Sequence, residues 1–392
     1  MTDPDAHIPR GDDDYTPEAA ARRRAFVEAR TGARLDHVGR YAFDPAGLPG
    51  NIENFIGAAQ VPIGLAGPLR VEGEHARGEF YIPMATTEGT LVASYNRGMR
   101  LLAECGGARA TVVARSMQRS PVFIFDDARE ARAFGEWVEA HFEPIKAAAE
   151  ATTRAGKLVS IQQFAVGPTR HLRFNFTTGD AAGQNMSGKA AFAACEWIRT
   201  NRPGGARYIL SGNTDTDKKH SQMNVIATRG RRVVAEAVIG REPLKRLMRV
   251  EPEDLFYARQ VSQAGAFLAG SANNGAHAAN GLAALFIATG QDAANVAESH
   301  AAIVYAQLLD SGDYYWSITL PALIVATVGG GTGLSTQSEC LAIMGCQGAG
   351  KADKLAEICA AMALAGDISL SCAVLAGDWV SSHERYGRNR PR

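Results

Sequence analysis

Four polar clusters interrupt otherwise apolar stretches of the 392-residue chain, and their side chains are of the types that assist reduction of a carbonyl by a hydride donor. Residues 83–89 (PMATTEG) place Glu88 where a loop meets a helix. Residues 211–219 (SGNTDTDKK) set the carboxylates of Asp215 and Asp217 against the ammonium groups of Lys218 and Lys219. In residues 290–294 (GQDAA), Asp292 follows a long apolar helix, and residues 381–385 (SSHER) place His383 in a basic tail. Each cluster alone has a plainer reading: a capping carboxylate, a solvated loop, a helix C-terminal turn, an exposed histidine. Taken together, Glu, Lys, Asp and His suit carbonyl reduction. The cation stabilises an oxyanion, the acid gives a proton, the carboxylate tunes it and the imidazole protonates a leaving group. The set contains no activated Ser or Cys nucleophile, and its spacing gives no H-E-x-x-H metal site.

Two phosphate-binding patterns are approached and missed. Residues 345–352 (GCQGAGKA) nearly match a P-loop, but Ala352 stands where a Ser or Thr hydroxyl would hold magnesium. A Gly-rich turn capping the following helix is the better reading. No G-x-G-x-x-G occurs, so a nicotinamide cofactor would need a site other than a Rossmann turn.

The elements that must position these clusters follow from local pattern. Thr16-Pro17 opens a helix that runs through Arg30 and stops near Gly32. Residues 42–68 are Gly- and Pro-rich but apolar, which predicts a buried loop and short strand. Residues 69–84 read as a hairpin turning at Glu72-Gly73, and a helix starts from about Gly89. Residues 126–152 read as one long amphipathic helix. The order β-α-β-β-α-β over about 110–210 is a split βαβ pattern that folds as a compact sandwich of its own. Ala-rich helices with two further strands, around 301–307 and 314–328, make up the rest.

Composition excludes other classes. Lys+Arg and Asp+Glu are 41 each, so there is no basic excess for nucleic acid. The six cysteines form no C-x-x-C pair, which fits buried thiols in a reducing compartment rather than a disulfide scaffold. The most apolar tract, around 355–380, carries Glu357, Asp367 and Asp378, and the N-terminus (MTDPDAHIPRGDDD) has no apolar core. Both argue against membrane spanning and secretion, and the expectation is a cytoplasmic protein without a metal centre.

Ordered motifs over about residues 50–385 carry a family likeness: ENFIG (53–57), PMATTEGTLVAS (83–94), GDAAGQNM (179–186), SGNTDTDKK, AHAANG (276–281), TGQDAAN (289–295), TVGGGT (327–332) and Ser382-His383. On these the chain resembles the 3-hydroxy-3-methylglutaryl-coenzyme A (HMG-CoA) reductases, in a soluble, class I-like form. The resemblance implies an α/β (α+β) fold: a large mixed domain around a long central helix, with an inserted ferredoxin-like small domain. The implied boundaries are 1–50 for an N-terminal helical segment, 51–118 with 210–392 for the large domain, and 119–209 for the small NADP-binding domain. It also implies a homodimer or dimer of dimers, with the active site at the subunit interface and residues 51–68 in that interface.

The implied reaction is a two-step, NADPH-dependent reduction of HMG-CoA to mevalonate and coenzyme A. By resemblance, Lys218 stabilises the alkoxide and Glu88 supplies a proton. Asp292 holds the Lys–Glu network and His383 protonates the departing thiolate. Arg119, Ser211, Asp217 and Lys219 fall where the hydroxymethylglutaryl group is gripped, and Ser94, Asn96, Arg97 and Arg100 at coenzyme A contacts. Thr153, Arg154, Asp180, Asn185 and Met186 fall at the cofactor. The chain departs from many relatives at Ala182 and Gln184, each a Met there, at Gln260, a Lys there, and at Gly275, often Asn. Those departures leave open a reductase of another branched acyl-CoA, or a silent coenzyme A-ester binding protein.

Overall fold

The computed structural model describes residues 7–271 and 273–378. Helix α1 (Pro17–Thr31) begins where Thr16 Oγ1 accepts the Ala19 N–H and ends at Gly32, whose φ of 70° only glycine adopts without strain. The hairpin β1 (Ile63–Gly73) and β2 (Arg77–Ala85) follows, then α2 (Leu91–Glu104) and β3 (Ala108–Arg119). Next come β4 (Val122–Ile124), α3 (Ala128–Ala140), α4 (Phe142–Glu150), β5 (Lys157–Val166), β6 (Thr169–Thr177), α5 (Gln184–Asn201) and β7 (Arg207–Ile209). The chain continues through α6 (Gln222–Ala227), β8 (Gly230–Ile239), α7 (Arg241–Met248), α8 (Pro252–Leu268), α9 (Ala278–Thr289) and α10 (Val296–Ser299). It closes with β9 (Ile303–Leu308), β10 (Tyr314–Leu323), α11 (Ser335–Ile343) and α12 (Ala352–Leu375).

Strand β3 belongs to two sheets. Its first half pairs with β8 and β1, and its last residues, Met117 to Arg119, pair with β6. On one side the order runs β3-β8-β10-β9, with the β1–β2 hairpin attached to β3; on the other it runs β7-β4-β6, with β5 on β6. The second sheet therefore places β4, the first strand of the β-α-β-β-α-β run, beside the third and fourth. It has its own apolar core of Phe123, Phe134, Ile145, Phe174, Phe176, Ile198 and neighbours.

The larger core is organised by α12. This helix is long and apolar enough to cross a membrane, but 78% of its apolar window is buried among the other elements. It lies against α2, β8 and β3. The approach to α2 is so close that a Cβ on Gly98 would sit 1.8 Å from the Ala365 carbonyl oxygen. Two buried carboxylates on α12 hold loops. Glu357 accepts the N–H groups of Glu74, His75 and Ala76 at the hairpin turn, and Asp367 Oδ1 accepts those of Ala276 and His277.

Three sequence expectations shift. The helix read over 126–152 is two, broken at His141, because Pro144 clashes with the carbonyl four residues back and cannot donate to it. The hairpin turn lies at residues 74–76, where Glu357 holds it. Residues 42–68 are not a buried loop: Ile52, Ile63 and Leu65 are exposed, and of residues 51–65 only Phe55 is buried. Gly57 is required there, since a Cβ would lie 1.9 Å from the Val38 carbonyl oxygen.

Candidate active site

The loop between β7 and α6 carries Lys218 in a conformation that its own residues disfavour. Asn213, Thr216 and Lys218 all have positive φ, at 68°, 55° and 53°. Left-handed backbone is costly for a non-glycine residue, most of all for β-branched Thr, and such strain clusters at functional sites. The surroundings enforce it. Asn224 hydrogen-bonds the Thr216 hydroxyl and donates to the Lys219 carbonyl, and the Lys218 N–H donates to Glu298 Oε1 at 3.2 Å. The result is an ion pair of 2.7 Å between Lys218 Nζ and Asp292 Oδ2. Asp292 is itself fixed by capping the short turn after it, its Oδ1 accepting the Ala294 N–H at 3.0 Å.

A buried ionic web lies beneath. Arg229, fully buried, pairs with Asp217 at 2.6 Å and with Glu298 at 2.9 Å. Arg119 pairs with buried Asp215 at 3.1 Å and with Asp217 at 3.7 Å, and the Ser211 hydroxyl reaches Asp215 at 3.5 Å. Lys219 Nζ donates to the Asp217 carbonyl. Burial pushes the Glu298 carboxyl up to about 7, against the pull of Arg229 and of the Lys218 N–H. A charge removed from water here is tolerated because every member has a counter-ion or donor.

Lys218 and Asp292 face a cleft of about 580 Å³. One wall is residues 181–186 at the start of α5, and the other is the Gly329–Gly331 loop. Arg119 and Asp217 line it too. Asp180 does not. Its carboxylate turns away and accepts the N–H groups of Gly350 at 2.8 Å and Ala352 at 3.1 Å. A carboxylate thus holds the place that a phosphate would take in the P-loop-like turn, which is a cap on α12. Thr153 accepts the Gly156 N–H, and Arg154 is exposed on the same turn.

The other expected residues sit apart. Glu88 is exposed before α2, hydrogen-bonded through its N–H to Thr86, and does not line this cleft. On α2, Asn96 and Arg100 border a separate cleft of about 480 Å³ with Gly67, Pro68 and Glu104. Ser94 and Arg97 turn instead to Ser369 on α12. His383 lies outside the described residues. Two departures acquire physical reasons. Gln260 is exposed, and its neighbour Arg259 is buried with its guanidinium on the carbonyls of Asn274 and Val304. Gly275 is close-packed, since a Cβ there would lie 2.6 Å from that of Ala302.

Sequence reasoning missed Arg229, Glu298 and Asn295. The isolated Glu298, six residues after Asp292 within an apolar run, was the available signal.

Comparison with known proteins shows the family. Residues 19–388 match the family described as hydroxymethylglutaryl-coenzyme A reductase. The chain is 45% identical to 3-hydroxy-3-methylglutaryl-coenzyme A reductase from Aeropyrum pernix, over 95% of this chain and 90% of that protein. It is 43% identical to the Pyrococcus abyssi protein of the same name, over 93% and 92%. The fold superposes with a TM-score of 0.68 on the class II 3-hydroxy-3-methylglutaryl-CoA reductase of Streptococcus pneumoniae, solved bound to NADPH in open conformations. That match covers 89% of this chain and 82% of that one at 22% identity. By sequence over nearly its whole length, and by fold, the chain belongs to the hydroxymethylglutaryl-coenzyme A reductase family.

Proposed function

We propose that this chain reduces HMG-CoA to mevalonate and coenzyme A with two equivalents of NADPH. The observation that carries the reading is the Lys218–Asp292 pair, held at 2.7 Å by a strained loop that lines the cleft. The α5 wall suits the cofactor. Its N-cap Gly183 supplies no side-chain cap, so first-turn N–H groups remain for an anion. Asn185 and Met186 on α5 and the Gly329–Gly331 loop would border the nicotinamide, and Thr153 and exposed Arg154 would receive the 2′-phosphate. Asp180 supports that wall from behind by fixing it to α12.

Bound there, reduced nicotinamide supplies a hydride in each step. Lys218 Nζ stabilises the alkoxide oxygen as each carbonyl is reduced, and Asp292 keeps Nζ aimed. Glu88 gives the proton to that oxygen. Between the steps the hemithioacetal hydroxyl returns its proton to Glu88 as the C–S bond breaks, and coenzyme A leaves as thiolate, which His383 protonates so that it does not add back to mevaldehyde. Arg119, Ser211, Asp217 and Lys219 grip the hydroxymethylglutaryl group. Ser94, Asn96, Arg97 and Arg100 follow coenzyme A along α2.

Glu88 does not line the Lys218 cleft, which supports a dimer in which subunits complete each other's site, with the exposed apolar residues Ile52, Ile63 and Leu65 in the interface. Residues 119–209 form the small ferredoxin-like domain, a division supported by its separate core. Residues 1–50 are the N-terminal segment, and 51–118 with 210–392 the large domain. The class I-like form is part of this proposal, since the 22% likeness to the class II structure shows the fold alone. Six unpaired cysteines support a reducing, cytoplasmic setting. The test is absorbance of reduced cofactor on mixing the full chain, NADPH and HMG-CoA. Two NADPH consumed per coenzyme A released is expected; oxidation with another acyl-CoA but not with HMG-CoA would reject the substrate.

A further inference from the structure

Gln184 is the first residue of α5 and lines the cleft. Its amide nitrogen donates to Asp217 Oδ1 at 3.0 Å and to Asn295 Oδ1 at 2.9 Å. The orientation of the amide is fixed by its partners, because an ionised carboxylate only accepts. Its backbone carbonyl accepts from Arg119 Nη2 at 3.5 Å and from the Ser187 hydroxyl at 3.0 Å. Asp217 is the residue before Lys218. Asn295 ends the short turn that Asp292 caps. One amide therefore joins three segments: the start of α5, the loop that carries Lys218, and the turn that carries Asp292.

We propose that Gln184 is a positioning residue that couples the cofactor end of the cleft to the Lys218–Asp292 pair. A ligand seated against residues 181–186 bears on the first turn of α5. Through the Gln184 amide that contact is passed to both halves of the pair, which need alignment to within a fraction of an ångström to stabilise an alkoxide. A methionine at this position has similar length but no N–H, so α5 would keep its link to the Lys218 loop through Arg119 but lose its direct link to the Asp292 turn, while those two segments stay joined by the Lys218–Asp292 pair and the Lys218–Glu298 hydrogen bond. Asp217 would keep its guanidinium partners in that case, whereas Asn295 would lose its donor from α5. Gln184 thus makes the reacting geometry conditional on the occupant of the cofactor wall. The inference rests on the functional reading above for the identity of that occupant.

The experiment uses the full chain and three variants, Gln184→Met, Asn295→Ala and the double variant. Hydrogen–deuterium exchange is followed in residues 181–190, 213–220 and 292–299, with and without NADPH, beside steady-state kinetics. In the wild type NADPH slows exchange in all three segments. In Gln184→Met it still slows 181–190, but its protection of 213–220 and 292–299 is lost. There kcat falls about tenfold while KM for NADPH stays within about twofold, the split expected when alignment and not binding is lost. Asn295→Ala, which keeps the Asp217 contact, loses protection only in 292–299, and it carries the test should Gln184→Met not fold. The double variant falls no further than Gln184→Met, because both changes break one connection. NADPH-dependent protection retained in both distant segments of Gln184→Met, or absent there in the wild type, overturns the coupling. A wild type that shows the coupled protection but does not reduce HMG-CoA overturns the functional reading and leaves the coupling standing.

Discussion

Replacing Glu298 by Gln removes a carboxylate that the fold holds entirely out of water. Its side chain is 0% exposed beside Arg229, also 0% exposed. Burial is the largest influence and raises the carboxyl from an ordinary 4.5 to about 7, with Arg229 and the Lys218 N–H pulling down and Asp217 pushing up. The folded value lies above the unfolded one, so between these pH values the folded chain keeps a proton that the unfolded chain has released. The group's contribution to stability is therefore fully present below about pH 4.5 and is lost as pH rises through about 7. At about 1.4 kcal/mol per pH unit, the interval is worth about 3 kcal/mol. Glutamine titrates in neither state. It keeps an oxygen for the Lys218 N–H and places an amide group toward Arg229 and Asn224, a fixed offset that does not depend on pH. Urea unfolding of both proteins, followed by tryptophan fluorescence from about pH 4.5 to about 8, measures the gap. The gap should move by about 3 kcal/mol in favour of Glu298→Gln across that range. Parallel curves would show that Glu298 is ionised throughout and refute the argument from burial.

Lys218→Ala should lower kcat by about 10²–10³, the usual loss for one oxyanion donor. It should change stability by less than about 1 kcal/mol, because its ion pair is partly exposed; near wild-type turnover would remove Lys218 from the chemistry. Asp180→Ala should cost about 1–2 kcal/mol by uncapping α12. Because that carboxylate points away from the cleft, KM for NADPH should hardly move, and a large rise in KM would place Asp180 on the cofactor. Gly98→Ala drives a methyl into the Ala365 backbone and should cost about 3 kcal/mol or prevent folding, read as the thermal midpoint. An unchanged midpoint would mean that α2 and α12 are not in such close contact. Arg154→Ala should narrow a preference for NADPH over NADH, and equal kcat/KM for the two cofactors in the wild type would count against the assignment.

Local chemistry set the start and stop of α1, because Thr16, Pro17 and Gly32 act within one turn of their own backbone. Alternating apolar residues set the strands of both sheets, and the ordered motifs carried the family. The same reasoning treated residues 126–152 as one helix because periodicity survives a break that Pro144 imposes sterically. It placed residues 42–68 inside because apolar composition says nothing about which neighbours will cover it. Glu88, Lys218 and Asp292 were legible as reactive types in polar islands. That Lys218 meets Asp292 at 2.7 Å, while Glu88 stands outside that cleft, was decided only when β3 joined two sheets and α5 met the loop before α6. No local pattern singled out Arg229, and for Glu298 only its apolar surroundings gave a signal. Their meaning comes from desolvation and from partners brought in by other elements, and both depend on tertiary packing rather than on any local spacing of residues.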